Sequence, residues 1–455
     1  MPHVAINPTT GETIARHEEL SAAELRRAIA ETRRAWVGWQ AVPFAARGEL
    51  LRGAARVLRS RSTMLAQLMA REMGKPVREG RSEVEKCAWV CEYYAEHGDL
   101  FLDPEVVATD AGRSYVAYRP LGIVFAVMPW NFPFWQVFRF AAPVLMGGNA
   151  GLLKHAANVP GCALAIEDVF RDAGFPAGLF RTLLISHQQS KAVIRNRAVA
   201  AVTLTGSTRA GKAIAKEAGA QLKKCVLELG GSDPYLILED ADLDLAVEAC
   251  ATSRLINSGQ SCIAAKRFLV VPSVREAFER KLVDRMRRAV VGDPLLEETT
   301  VGPQARVDLR DDLHAQVEAS VAKGARLLLG GTVPPGPGAF YPPTVLTDVK
   351  RGMPAYSEEL FGPVAAIIPV KDEAAAIKVA NDSIYGLGAA VFTTDAARGE
   401  RIAADRLEAG SCFVNAFVKS DPRLPFGGIK QSGFGRELAR HGLLEFQNAK
   451  TVYVK

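Results

Sequence analysis

Cys262 is the residue in this sequence best suited to nucleophilic chemistry. It ends the segment Asn-Ser-Gly-Gln-Ser-Cys at 257–262, a small polar loop between a helical pattern at 242–256 and an apolar run at 268–271. A thiol in such a loop is accessible, whereas thiols buried in apolar surroundings are unreactive. A lone loop cysteine is more often unreactive than catalytic, so the role of Cys262 depends on the motifs that accompany it.

Two polar groups elsewhere in the chain suit the same chemistry. Glu228 lies in Leu-Glu-Leu-Gly-Gly at 227–231, at the end of an apolar run, and its carboxylate is a candidate general base. Asn131 lies in Met-Pro-Trp-Asn-Phe-Pro at 128–133, where two prolines fix the loop and direct an amide suited to an oxyanion. A purely structural rigid turn remains the alternative for this second segment.

Three further segments are suited to a nucleotide. A strand pattern at 201–205 runs into Gly-Ser-Thr-Arg-Ala-Gly at 206–211 and then a helix, so backbone amides at the helix start favour a phosphate. The spacing is not G-x-G-x-x-G, and an ordinary strand-to-helix turn is equally compatible with it. Lys154, at the end of a strand pattern, is within reach of ribose hydroxyls or faces solvent. Glu-Glu-Leu-Phe-Gly-Pro at 358–363 has acids suited to hydrogen bonds with a ribose and an aromatic side chain suited to packing against a ring. An ordinary solvated turn is the alternative for this segment.

Composition restricts the class of protein. The 455 residues are 48% hydrophobic with a formal charge of +6, which predicts a globular protein of two or three domains and does not indicate nucleic-acid binding. Seven cysteines without a paired framework predict reduced thiols and a cytoplasmic location, and seven scattered histidines predict no metal site. The N-terminus has no signal-peptide pattern, and no apolar run reaches the ~18 residues of a membrane span.

The periodicity predicts where the elements that position these groups occur. A hairpin at 1–20 precedes helices to about residue 101, and strands and helices then alternate from 123 to 220 and again from 234 to 416. This alternation predicts an α/β fold with two open parallel-sheet lobes. Strand patterns at 114–118 and 451–454 predict a small separate sheet for subunit pairing.

Six ordered motifs together resemble the NAD(P)-dependent aldehyde dehydrogenase superfamily, and most closely the short bacterial succinate-semialdehyde dehydrogenases. The motifs are Trp-Asn-Phe-Pro, Gly-Ser-Thr-x-x-Gly, Glu-Leu-Gly-Gly, Gly-Gln-Ser-Cys, Glu-Leu-Phe-Gly-Pro and Pro-Phe-Gly-Gly-x-Lys-x-Ser-Gly-x-Gly-Arg. The resemblance implies two Rossmann-like lobes and a bridging oligomerisation sheet, assembled as a homodimer or homotetramer. The implied limits are 1–112 and 126–226 for the cofactor-binding domain, 227–425 for the catalytic domain, and 113–125 and 426–455 for the bridging segments.

The resemblance also implies roles for individual residues. Cys262 is the nucleophile, Glu228 is the general base, and Asn131 with the Cys262 backbone amide forms the oxyanion hole. The implied cofactor-binding residues are Met128, Trp130, Lys154, Ala157, Gly206, Ser207, Gly211, Glu359 and Phe361. The implied substrate-binding residues are Trp135, Arg139 and Ser420, and no metal is implied. The reaction that the resemblance implies is oxidation of succinate semialdehyde, or a similar carboxylated aldehyde, to the acid through a thiohemiacetal and a thioester.

Departures from the family pattern leave two questions open. Arg139 matches an arginine that holds the distal carboxylate of the substrate, but Ile256 stands where some relatives carry a second arginine. Arg139 as a structural arginine remains the alternative. Ala157 stands where NAD-selective members often carry Glu, so NADP should be tolerated beside NAD. Three alternative functions remain: a broad-specificity aldehyde dehydrogenase, a coenzyme-A-acylating enzyme and a catalytically silent structural relative. Glu228 argues against the coenzyme-A-acylating enzyme, which needs no base to activate water.

Overall fold

The computed structural model describes residues 2–455. Within this range the chain forms two α/β lobes with predominantly parallel sheets, a three-stranded antiparallel sheet and an N-terminal hairpin, which confirms the predicted fold class. The strands are β1 (His3–Ile6), β2 (Thr13–His17), β3 (Glu105–Val106), β4 (Arg113–Pro120), β5 (Ile123–Met128), β6 (Ala150–His155), β7 (Phe180–Thr182), β8 (Val199–Thr205), β9 (Lys224–Glu228), β10 (Asp233–Ile237), β11 (Ala265–Val270), β12 (Arg326–Leu329), β13 (Thr344–Thr347), β14 (Val364–Pro369), β15 (Gly388–Phe392), β16 (Ser411–Val414), β17 (Gly433–Phe434) and β18 (Gln447–Val454). The α-helices are α1 (Ala22–Trp39), α2 (Phe44–Ser60), α3 (Ser62–Met73), α4 (Val77–His97), α5 (Trp135–Met146), α6 (Pro160–Asp172), α7 (His187–Arg195), α8 (Thr208–Ala220), α9 (Leu243–Leu255), α10 (Pro272–Arg287), α11 (Val307–Ala322), α12 (Pro354–Ser357), α13 (Glu373–Asn381), α14 (Ala396–Asp405) and α15 (Ala439–Leu444).

The first lobe is built on a six-stranded sheet in the order β17-β9-β8-β5-β6-β7. Its central strand β5 is apolar along its length because helices cover both faces of the parallel sheet. From β5 the chain moves outward through β6 and β7 and then returns to β8 and β9 on the opposite side. The strand order therefore reverses between β5 and β8, and the carboxyl ends of these strands form a crevice suited to a ligand.

The second lobe is built on a seven-stranded sheet in the order β12-β13-β14-β11-β10-β15-β16. The edge strand β12 is antiparallel to β13, while the other pairs are parallel. The alternation predicted for 234–416 did not distinguish the segment of β13, which is fully buried. Two prolines precede β13, and their turn character concealed the short strand that follows.

The C-terminal strand β18 pairs with β4 over eight residues, from Gln447 opposite Pro120 to Val454 opposite Arg113. The predicted small sheet between these two segments is confirmed. Within the segments predicted to form the bridge, β5 begins at Ile123 and β17 pairs with β9. The predicted domain limits stay a prediction.

Candidate active site

The loop that carries Cys262 has a backbone conformation that requires glycine at position 259. Asn257 and Ser258 have φ values of 54°, in the left-handed region, and Gly259 follows at 76°. A Cβ on Gly259 would lie 2.2 Å from the backbone carbon of Gly362, so any other residue would collide with backbone. Strained backbone of this kind persists only where surrounding contacts hold it, and it concentrates at functional sites.

The Asn131 side chain is one of the groups that hold this loop. Its Nδ2 donates a hydrogen bond of 3.1 Å to the Gln260 carbonyl, and the Asn257 amide donates to the Asn131 carbonyl at 2.7 Å. An amide nitrogen has two donor hydrogens, so one remains for an oxygen of a bound molecule. The structure thus brings Asn131 to the cysteine loop across a long sequence separation.

Cys262 lies on the wall of a cavity of about 450 Å³ between the two lobes. Its side chain is half-buried, so the thiol is neither sealed in a core nor fully exposed. Burial raises the pKa of the Cys262 thiol to about 12, and the positive charges of Arg139 and Lys266 oppose this increase. The resting thiol is therefore protonated, and it must lose its proton before it can attack.

Glu228 occupies the last position of β9, where Gly433 of β17 pairs with it. Its carboxyl group is buried, and neither oxygen has a hydrogen-bond partner among residues 2–455. Burial, followed by the negative charge of Glu437, raises the pKa of Glu228 well above its usual range. The group is thus a neutral acid at rest, and none of its described contacts joins it to Cys262.

An ion pair beside Glu228 was not foreseen from the sequence. Arg139 of α5 pairs with Glu437, both are almost completely buried, and the guanidinium stacks 4.7 Å from the centre of the Phe426 ring. Arg139 also lines the cavity, as its predicted role requires. Glu437 directly follows the Pro-Phe-Gly-Gly-x-Lys-x-Ser-Gly-x-Gly-Arg motif, and nothing in its local pattern distinguishes it from a solvated acid.

Helix α5 is held at its start by a buried carboxylate. Glu83 of α4 accepts hydrogen bonds of 2.9 Å from the backbone amides of Phe134 and Trp135, and its other oxygen pairs with Lys75. The carboxylate therefore satisfies amides that have no partner within the helix. This contact fixes the helix that carries Trp135 and Arg139 into the cavity.

The crevice at the carboxyl edge of the first sheet holds the predicted phosphate-binding segment. Ser207 caps α8 by accepting a hydrogen bond from the Ala210 amide, so the start of a 13-residue helix faces the strand ends. Around Gly206 the nearest atom to an added Cβ is 3.8 Å away, which leaves the backbone open to a ligand. A Cβ on Gly211 would instead lie 2.5 Å from Leu229, so this glycine allows helix and strand to pack closely.

The other predicted cofactor residues lie at or just after strand ends of the first lobe or contact such residues from the second lobe. The Trp130 and Phe361 rings meet edge to face with centroids 5.8 Å apart. Glu359 accepts a hydrogen bond of 3.0 Å from the Gly231 amide and lies 3.6 Å from the Lys266 ammonium. Lys154 is buried near the end of β6, and burial lowers its pKa.

Met128 and Ala157 complete the predicted set. Met128 is the buried last residue of β5, and Ala157 is exposed in the turn after β6. Aromatic rings, a helix start, a lysine and a carboxylate around one cleft fit a dinucleotide.

One cavity residue that the sequence analysis missed contacts two of the predicted substrate residues, Trp135 and Ser420. Lys86 of α4 donates a hydrogen bond of 2.9 Å to the Ser420 hydroxyl, and its ammonium lies 4.3 Å from the centre of the Trp135 ring. A single lysine in a helical segment gives no sequence signal of this kind. Only the packing of α4 against α5 places it there.

Neither a membrane-spanning helix nor a metal-binding cluster occurs among residues 2–455. No helix in this range combines the length and apolar character that crossing a bilayer requires. In the same range, His, Cys, Asp and Glu side chains form no group of three or more arranged to hold a metal ion.

Comparison with known proteins gives similarity along the whole chain. The model of the aldehyde dehydrogenase family matches residues 3–452. A probable NADP(+)-dependent succinate-semialdehyde dehydrogenase from Synechocystis is 50% identical over 454 residues, covering 100% of both chains. A succinate semialdehyde dehydrogenase from Escherichia coli that uses NAD(P)+ is 48% identical over 450 residues, covering 99% of this chain and 97% of the relative.

Similarity to solved structures is equally extensive. The succinic semialdehyde dehydrogenase of Streptococcus pyogenes, solved in complex with NADP+, superposes with a TM-score of 0.97. It is 38% identical in sequence, and the match covers 99% of both chains.

Proposed function

The chain belongs to the aldehyde dehydrogenase family, and from this premise we propose that it oxidises succinate semialdehyde, or a similar short aldehyde with a distal carboxylate, to the acid with NAD(P)+. The observation that carries this proposal is the position of Cys262 on a cavity whose wall also presents Arg139 and Lys86. A thiol supplies the nucleophile for an aldehyde carbonyl, and cations favour a substrate with a carboxylate.

Each catalytic residue has a distinct task in this reaction. The Cys262 thiolate adds to the carbonyl carbon, and the resulting alkoxide is held by the Asn131 amide and the Cys262 backbone N–H. When bound, the nicotinamide would accept the hydride that leaves the former aldehyde carbon as the alkoxide collapses. The enzyme is then left with a thioester on Cys262, and Glu228, once deprotonated, removes a proton from the water that hydrolyses it.

The charge of Arg139 favours deprotonation of the two titratable groups in this proposal. Cys262 and Glu228 are both protonated at rest because burial raises the pKa of each. Arg139 is close enough to oppose this effect at both groups, since its charge lowers both pKa values. We infer that Arg139 stabilises the deprotonated forms that the reaction requires.

Cofactor use follows from the crevice at the carboxyl edge of the first sheet. Ala157 is exposed and has no carboxylate to repel a 2′-phosphate. Lys154, near the end of β6, adds a basic group close to the turn that carries Ala157. These two features support the use of both NAD+ and NADP+.

Assembly and location are parts of the same proposal. The sheet of β3, β4 and β18 leaves apolar side chains such as Val106 and Tyr453 largely exposed, which supports a homodimer or homotetramer formed through this sheet. All seven cysteines are free thiols, which supports the cytoplasm as the location.

A panel of aldehydes tests the substrate. The purified enzyme is assayed with succinate semialdehyde, glutarate semialdehyde, acetaldehyde and benzaldehyde, each with NAD+ and with NADP+. We expect the highest kcat/KM for succinate semialdehyde and acid formation without added coenzyme A. Equal kcat/KM across the panel would indicate a broad-specificity enzyme, a requirement for coenzyme A would indicate acyl transfer, and no turnover would indicate a silent relative.

A further inference from the structure

The cavity beside Cys262 contains a lysine that takes no part in the chemical steps described above. Lys86 is half-buried on the cavity wall, with its ammonium between the Ser420 hydroxyl at 2.9 Å and the face of Trp135 at 4.3 Å. Holding a lysine in such a site costs free energy because burial disfavours the charged form. Burial indeed lowers the pKa of Lys86 to about 8.

The acids whose charge acts on Lys86, Asp421 and Glu83, are themselves paired with Arg423 and Lys75. In the part of the chain that the structure describes, residues 2–455, no carboxylate lies within ion-pair distance of the Lys86 ammonium. Arg139 differs in this respect, because its guanidinium is already paired with the buried Glu437. Of these two cavity cations, Lys86 is therefore the one with an unsatisfied demand for an anion.

The other cations of the cavity are less suitable for holding a ligand group. Arg285 is already engaged by both oxygens of Glu248. Arg78, Arg288 and Lys419 are exposed at the rim, where solvent screens their charge. They can attract an anionic substrate to the entrance, but they do not provide an enclosed binding position.

We propose that Lys86 and Ser420 together bind the distal carboxylate of the substrate, and that Lys86 is a determinant of specificity for carboxylated aldehydes. This inference rests on the proposed function. The ammonium has three donor hydrogens, of which one is used by Ser420. The Ser420 hydroxyl accepts that bond and keeps its own hydrogen for a carboxylate oxygen. The Trp135 face covers the methylene groups between the two ends of the substrate.

Arg139 lines the same cavity, and its guanidinium remains paired with Glu437. Its charge acts on both the Cys262 thiol and the Lys86 ammonium.

Substitution of Lys86 separates recognition of the carboxylate from catalysis. The variants Lys86→Met, which keeps the length of the side chain but removes the charge, and Lys86→Arg, which keeps the charge, are assayed with succinate semialdehyde and with butanal. Because a charged hydrogen bond contributes about 1.5–3 kcal/mol, Lys86→Met should lower kcat/KM for succinate semialdehyde about 10- to 100-fold. The kcat/KM for butanal should stay within about two-fold, since butanal has no group for the ammonium to bind.

Further variants make the outcome unambiguous. Lys86→Arg should keep most of the preference for the carboxylated substrate, and Ser420→Ala should lower it in the same direction as Lys86→Met. Lys419→Met removes a rim cation, and a loss equal to that of Lys86→Met would show that general positive potential, not Lys86, selects the substrate. Preference unchanged in Lys86→Met would also overturn the inference. A wild-type enzyme that does not prefer succinate semialdehyde over butanal would instead refute the proposed function.

Discussion

Replacement of Glu228 by Gln is the most direct test of the catalytic cycle. The substitution keeps the size of the side chain and removes only the ability to accept a proton. Neither carboxylate oxygen has a hydrogen-bond partner among residues 2–455, so no such bond within this range is lost. We therefore expect the Glu228→Gln protein to fold and to bind both ligands.

The magnitude of the effect follows from the role of a general base. Such a base contributes typically about 10²- to 10⁴-fold to a rate, which corresponds to about 2.7–5.4 kcal/mol in the activation barrier. Only hydrolysis of the thioester needs this base, whereas hydride transfer precedes it. Steady-state turnover should thus fall by this factor while the first turnover remains fast.

Rapid mixing distinguishes these steps. The formation of NAD(P)H is followed by fluorescence after enzyme is mixed with succinate semialdehyde and cofactor. Glu228→Gln should give a burst of about one NAD(P)H per active site, then a slow phase, and mass spectrometry should detect the acylated Cys262. Glu445→Gln, a nearby partly buried acid that pairs with Lys224, is the matched control and should show no such burst followed by a stall. Unchanged steady-state turnover in Glu228→Gln would refute the assignment of the base.

The pH dependence of the wild-type enzyme provides an independent check. Burial raises the pKa of Glu228, so the neutral form predominates at rest and the basic form increases as the pH rises. Where hydrolysis of the thioester limits turnover, kcat should therefore increase with pH, and the Glu228→Gln variant should lose this increase. An identical pH profile in the variant would assign the titration to another group.

Three other substitutions address the nucleophile, the cofactor and the scaffold. Cys262→Ala should abolish formation of NAD(P)H with an unchanged circular-dichroism spectrum, and remaining turnover would exclude the thiol mechanism. Ala157→Glu should raise KM for NADP+ about tenfold or more and leave that for NAD+ nearly unchanged, because a carboxylate there repels a 2′-phosphate; equal effects on both cofactors would place residue 157 away from the ribose. Glu83→Gln leaves the buried Lys75 without its partner and should destabilise the protein by about 3–5 kcal/mol in urea denaturation, whereas a change below 1 kcal/mol would show that the pair is dispensable.

The positions of most elements were predictable from periodicity and end signals. The helices predicted before residue 101 include α1, which Ser21 caps together with Glu24, and the helix predicted after the Gly-Ser-Thr-Arg-Ala-Gly segment is α8. The patterns succeed here because α1 and α8 are amphipathic and the central strand β5 is a continuous apolar run. Strand β13 escaped detection because it is only four residues long and follows prolines.

The sequence by itself determined the chemical groups and the ends of the elements that carry them. Cys262, Glu228 and Asn131 each lie at the end of an element or in a short loop with prolines or glycines, and such local constraints are written in neighbouring residues.

Tertiary structure alone decided which groups meet. The Arg139–Glu437 pair, the Glu83 contact with the start of α5 and the position of Lys86 against Ser420 all join residues far apart in the chain. The same packing raises the pKa of Cys262 and Glu228, because burial depends on every neighbour that excludes water and not on the residues adjacent in sequence.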